Sequence, residues 1–114
     1  MKGFFFLALL FTSQVSASCS FEGMPPRSWL GEKTTLVAIK EHMRSRCIAV
    51  KKAVPVIETD CEKDQPIFKS KISNQGNIYW FSNSKRCHEK LAGMSGWVYE
   101  ENGRLIEYYV YERS

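Results

Sequence analysis

The chain has 114 residues, with 16 Lys and Arg against 12 Asp and Glu and a formal charge of +4. That length holds one domain with a marginal core, and so mild a basic balance, without a dense Lys/Arg stripe, argues against a dedicated nucleic-acid binder. The cysteine count is even, at four, and no Cys-x-x-Cys redox pair is present, so two structural disulfides in an oxidising compartment are expected.

Residues 1–17 read as an export signal. Met1-Lys2 is a short positive start, residues 4–11 are almost unbroken apolar, and Val15-Ser16-Ala17 offers small residues for cleavage after Ala17. The apolar run is about half of the roughly 20 residues a spanning helix needs, so no transmembrane segment is expected after cleavage. Ser16-Ala17-Ser18 lacks the leucine-like residue of a lipoprotein site, and lipidating Cys19 would leave an odd thiol. Cleavage removes Lys2 and leaves 15 basic against 12 acidic side chains, a formal +3. The expected location is periplasmic or secreted.

Residues 18–31, with Pro25-Pro26 and Gly31, read as an extended leader tied down by Cys19, and residues 32–114 as the domain proper. Over residues 32–46, Leu36, Ile39, Met43 and Cys47 recur at helical spacing, which favours a helix over the β-rich lettering of residues 34–39. Residues 48–57 read as a strand, with Ile48, Val50, Val54, Val56 and Ile57 interrupted at Pro55. The polar loop that follows spaces Glu58, Asp60, Glu62 and Asp64 like the start of a calcium loop. It lacks the sixth-position glycine and the distal glutamate, so a solvated turn is expected and no metal or cofactor.

Asn74-Gln75-Gly76 predicts a three-residue hairpin pairing Ser73 with Asn77. Phe68, Ile72, Ile78 and Trp80 then share the core face. Lys69, Lys71, Tyr79 and Phe81 fall on the other, a surface for an anionic ligand. Residues 82–94 carry the punctuation of a short helix, with Ser82, Asn83 or Ser84 as N-cap, Cys87 inside and Gly93 as the left-handed C-cap.

Asn102-Gly103 predicts a two-residue type I′ hairpin. Continued without interruption, that register sets Glu101 opposite Arg104, Tyr99 opposite Ile106 and Trp97 opposite Tyr108. Trp97, Tyr99, Ile106, Tyr108 and Val110 would face the core. Val98, Glu100, Leu105, Glu107, Tyr109 and Tyr111 would form the reverse side, to be covered by the leader and a helix or offered to a partner protein.

His42 and His88 both lie in charged helical segments, and with a lysine they are the residues an RNase-like hydrolase would use. No phosphate loop, zinc-helix pattern or nucleophile elbow accompanies them. The expected fold is α+β, a small antiparallel meander with one or two helices packed on it and Cys19, Cys47, Cys61 and Cys87 in two disulfides; a small all-β barrel is the alternative. The expected function is non-enzymatic binding outside the cytoplasm, as an inhibitor or immunity-type protein that neutralises a partner such as a secreted or envelope enzyme. Binding of an anionic glycan or envelope surface, and hydrolysis, are the alternatives.

Overall fold

The computed structural model describes residues 19–63 and 66–113; the segment expected to be an export signal, residues 1–17, and Asp64 lie outside them. Strands β1 (Leu30–Thr34), β2 (Asn77–Ser82), β3 (Met94–Glu101) and β4 (Arg104–Arg113) make one antiparallel sheet in that order. Helix α1 (Leu36–Ala53) joins β1 to β2, and the short helix α2 (Lys85–Glu89) joins β2 to β3. The sheet is open, so the architecture is α+β and not a barrel.

Helix α1 starts where Thr35 Oγ1 accepts the Ala38 amide at 3.1 Å, a side-chain N-cap. Its inner face lays Leu36, Ile39 and Met43 on the sheet, against a core of Ile67, Phe68, Ile78, Trp97 and Tyr99. The expected strand over residues 48–57 does not form, because the helix continues to Ala53. Each β-branched residue costs a helix well under about 1 kcal/mol, and the helical spacing of Met43, Cys47 and Val50 runs on through this segment. Val54 ends the helix at φ −130°, ψ 80°, since the ring of Pro55 disfavours helical geometry in the residue before it. The Cys47–Cys61 disulfide then folds the following loop back onto α1.

The first expected hairpin is also corrected. Its turn exists, with the Gly76 amide donating to the Ser73 carbonyl at 3.1 Å, but residues 67–72 are not a strand. Both edges of β2 are already taken, by β1 and β3. The segment crosses the helix-side face instead, where Ile67 and Phe68 join the core. Side chains on the sheet fasten it: the Ser73 amide donates to Tyr99 Oη at 3.1 Å, and the Lys69 and Ser70 amides donate to the Glu107 carboxylate at 2.7 and 2.8 Å.

The last hairpin turns at Asn102 and Gly103, with φ of 53° and 76°, the left-handed pair a type I′ turn requires. Glu101 pairs with Arg104 as expected. Beyond Leu105 the register differs, because Tyr99 pairs with Glu107 and Trp97 with Tyr109. Ile106 is an extra residue in β4, and a second bulge leaves Tyr111 extra near Ser95 and Gly96. One inserted residue exchanges the two faces of a strand. Tyr109 and Tyr111 therefore pack on the helix-side core, while Ile106 and Tyr108 are 41% and 39% exposed.

On the reverse face, Phe21 from the leader meets Tyr108, Trp29 and Phe81 edge-on, with ring centroids 5.1, 5.5 and 6.5 Å apart. Phe81 and Val98 are fully buried beneath. The Cys19–Cys87 disulfide ties the leader to α2, and Asn83 Nδ2 donates to the Cys19 carbonyl at 3.1 Å. Helix α2 is capped by Ser84, whose hydroxyl oxygen accepts the Cys87 amide. The left-handed residue after α2 is Leu91, at φ 58°, and not the expected Gly93.

Candidate binding surfaces

The Ile106 bulge divides the six residues expected to form a tail surface. Val98, Glu100 and Leu105 share the reverse face, whereas Glu107, Tyr109 and Tyr111 belong to the helix side. Val98 is fully buried. Glu100 is held by Arg27 at 2.7 Å; that hydrogen bond, helped by Asn77 and opposed by partial burial, keeps its carboxyl below the usual carboxylate range. Burial pushes the Glu107 carboxyl up, yet the amides of Lys69 and Ser70 and the Ser70 hydroxyl together outweigh it, so this group too sits low. Tyr111 lies 4.8 Å from the Trp97 ring and carries the guanidinium of Arg46 at 5.4 Å from its own centroid.

The four residues expected to hold an anionic ligand are not brought together. Lys69 and Lys71 are exposed on the segment that crosses the helix side, while Tyr79 and Phe81 are on the reverse face of β2, with Phe81 sealed. The two histidines occupy separate surroundings. His42 on α1 packs edge-on to Tyr111 and Trp97, at 5.6 and 6.3 Å, and His88 on α2 shares a 3.0 Å hydrogen bond with the Ser82 hydroxyl. Among the described residues, no group of three or more His, Cys, Asp or Glu is placed to hold a metal.

Two other features stand out. The first is the loop of residues 54–61, which leaves the end of α1 and returns at Cys61. Val54, Val56 and Ile57 are 42%, 85% and 37% exposed on it, with Val50 beside them on α1. The loop is braced from several sides: the Ile57 amide donates to the Val54 carbonyl at 3.2 Å, Lys51 Nζ donates to the Thr59 carbonyl at 3.2 Å, and Cys61 is bonded to Cys47. Arg44 grips Glu62 just beyond, at 2.8 Å, and this bonding holds the Glu62 carboxyl low and the Arg44 guanidinium high.

The second is an open cleft of about 300 Å³ between the first half of α1 and the β1 edge. Trp80, Trp97 and Ile39 form its apolar walls, and Glu32, Lys33, Thr34 and His42 also line it. Trp97 and Ile39 are nearly sealed, whereas Trp80 is half-buried and stands edge-on to Trp97 at 5.3 Å.

Neither feature was legible as a site in the sequence. Pro55 and the polar run from Glu58 marked a loop but not its outward apolar residues, and nothing local foretells that Trp80 and His42 approach one cleft. Among the described residues no helix is long and apolar enough to cross a membrane. No protein-family model, curated protein or solved structure matches the chain.

Proposed function

We propose that the chain is an exported, periplasmic or secreted, non-enzymatic protein that binds and neutralises a partner protein, with residues 54–57 as the principal contact. The observation that carries this reading is the exposed apolar loop closed by Cys47–Cys61. Apolar side chains held outward on a braced loop lose little freedom on docking, and such preorganisation is a main source of affinity in inhibitor complexes. A convex loop fits a concave site, which favours an enzyme cleft over a flat surface. The two bulges of β4 point the same way, because they blunt that edge against strand addition and leave the loop as the surface suited to insertion.

The test uses the mature, disulfide-bonded chain as bait in envelope and culture extracts. Captured enzymes are then assayed with added mature chain, and their activity should fall in proportion to occupancy. Val56→Asp should abolish both capture and inhibition, since burying an unpaired carboxylate at a contact is costly. A Tyr108→Ala control, on the reverse face, should retain both. Inhibition that survives Val56→Asp would remove the loop from the account.

A further inference from the structure

We infer that the cleft between α1 and the β1 edge is a second, separate binding site, built for a neutral pyranose ring of a glycan. The argument starts from an irregularity in β1. Leu30 pairs with Phe81 and Lys33 with Tyr79, so the strand bulges through Gly31 and Glu32 where Trp80 would find its partner. Bulges at a sheet edge re-aim side chains and commonly stand beside functional sites. This one draws the edge strand around an indole and sets Glu32 among the cleft residues.

The glycine in that bulge matters for access. A Cβ at position 31 would stand 3.6 Å from the Trp80 carbonyl oxygen and 3.7 Å from its Cδ1, in ordinary contact, so a branched side chain there would press on the Cδ1 edge of the indole. With glycine, the half-buried indole stays open to the cleft. Trp97 and Ile39 are nearly sealed and fix the opposite wall, and the edge-on contact with Trp97 at 5.3 Å holds the Trp80 indole in place.

The lining chemistry then selects the class of ligand. A volume of about 300 Å³ is at the small end for ligand pockets, roughly 300–1,000 Å³, and suits one ring. The indole walls offer an apolar platform for the C–H face of a sugar. Glu32 and Thr34 supply acceptors, while Thr34 and His42 supply donors, the complement a polyhydroxylated ring requires; Lys33, paired with Tyr79, turns its ammonium to the reverse face toward Glu100. A strongly anionic ligand is disfavoured, because Glu32 brings a carboxylate to the cleft while the Lys33 ammonium lies on the other face of the sheet. This site shares no residue with the loop of the proposed function, so either assignment stands or falls alone.

The experiment follows the Trp80 and Trp97 indole N–H resonances of the mature protein during titration with neutral saccharides. The probes are N-acetylglucosamine, chitotriose, cellotriose, maltotriose and mannotriose, with tetramethylammonium and a heparin fragment as charged comparisons. At least one neutral saccharide should give a saturable shift of both resonances. Trp80→Ala should weaken that binding by roughly tenfold or more, the worth of a good aromatic contact. Gly31→Val, at a position without left-handed backbone, should do the same with unchanged far-UV circular dichroism, and it decides the matter if the tryptophan variant misfolds. Absence of a saturable shift with every neutral saccharide overturns the assignment. So does tighter binding of either charged probe, or undiminished saccharide binding by the folded Gly31→Val protein.

Discussion

The guanidinium of Arg27 holds the carboxylate of Glu100 at 2.7 Å and also donates to the Gly103 carbonyl at 2.6 Å, so the leader is clipped to the turn of the last hairpin. Arg27 is 57% exposed, and an ion pair open to water contributes at most about 1 kcal/mol. Arg27→Ala should therefore lower unfolding free energy by less than about 1 kcal/mol, with the difference fading in high salt. Replacing both Cys19 and Cys87 by Ala should cost about 2–4 kcal/mol, because that bridge restricts the unfolded chain. Urea denaturation of the two variants ranks the fastenings, and a larger loss from Arg27→Ala would reverse the ranking.

Glu107 is the pin for the segment that crosses the helix side. Its folded carboxyl lies below the ordinary value, as does that of Glu100. Groups lowered on folding add stability that is fully present above the unfolded carboxylate pKa, about 4.3, and is lost as pH falls through the folded values beneath it. Denaturation midpoints should thus decline as the solution is acidified past about pH 4. Glu107→Gln should cost about 1–2 kcal/mol near neutrality, the range for charge-assisted hydrogen bonds at a half-buried site. The same variant should flatten the acid slope, and an unchanged slope would free Glu107 of this role.

Gly96 stands where two backbones meet. A Cβ there would fall 1.9 Å from the Tyr109 carbonyl oxygen and 2.9 Å from its carbon, and neither is a flexible side-chain end that could swing aside. Gly96→Ala should cost about 3 kcal/mol or more, at the top of the usual range for overpacking. Guanidinium unfolding measures this directly, and a loss under about 1 kcal/mol would mean that β4 shifts freely at its second bulge.

Leu91 offers the opposite experiment. Its φ is 58° and its side chain is 81% exposed, so it bears left-handed strain without a compensating contact. The strain costs roughly 1–2 kcal/mol for a residue with a Cβ, partly offset in glycine by the entropy of the unfolded chain. Leu91→Gly should raise stability by about 0.5–1 kcal/mol. A lower thermal midpoint in Leu91→Gly would show that the exposed leucine contributes something the geometry does not record.

Short-range chemistry determined a good deal by itself. Asn102-Gly103 fixed a reversal because few other pairs accept two successive left-handed residues, and the run Ser82-Asn83-Ser84 marked the start of a short helix. An even set of cysteines outlined two staples, and the spacing of Leu36, Ile39 and Met43 outlined the face of α1. The tertiary structure alone decided where strand and helix gave way to packing. Residues 48–53 stayed helical because the apolar stripe of α1 had already set their course, and residues 67–72 found both edges of β2 occupied. Above all it placed the bulge at Ile106, a single residue that moved Tyr109 and Tyr111 beneath α1 and turned Tyr108 outward. A strand's alternation carries no absolute phase, so which face meets the core depends on contacts with distant segments, here α1 on one side and Phe21 on the other.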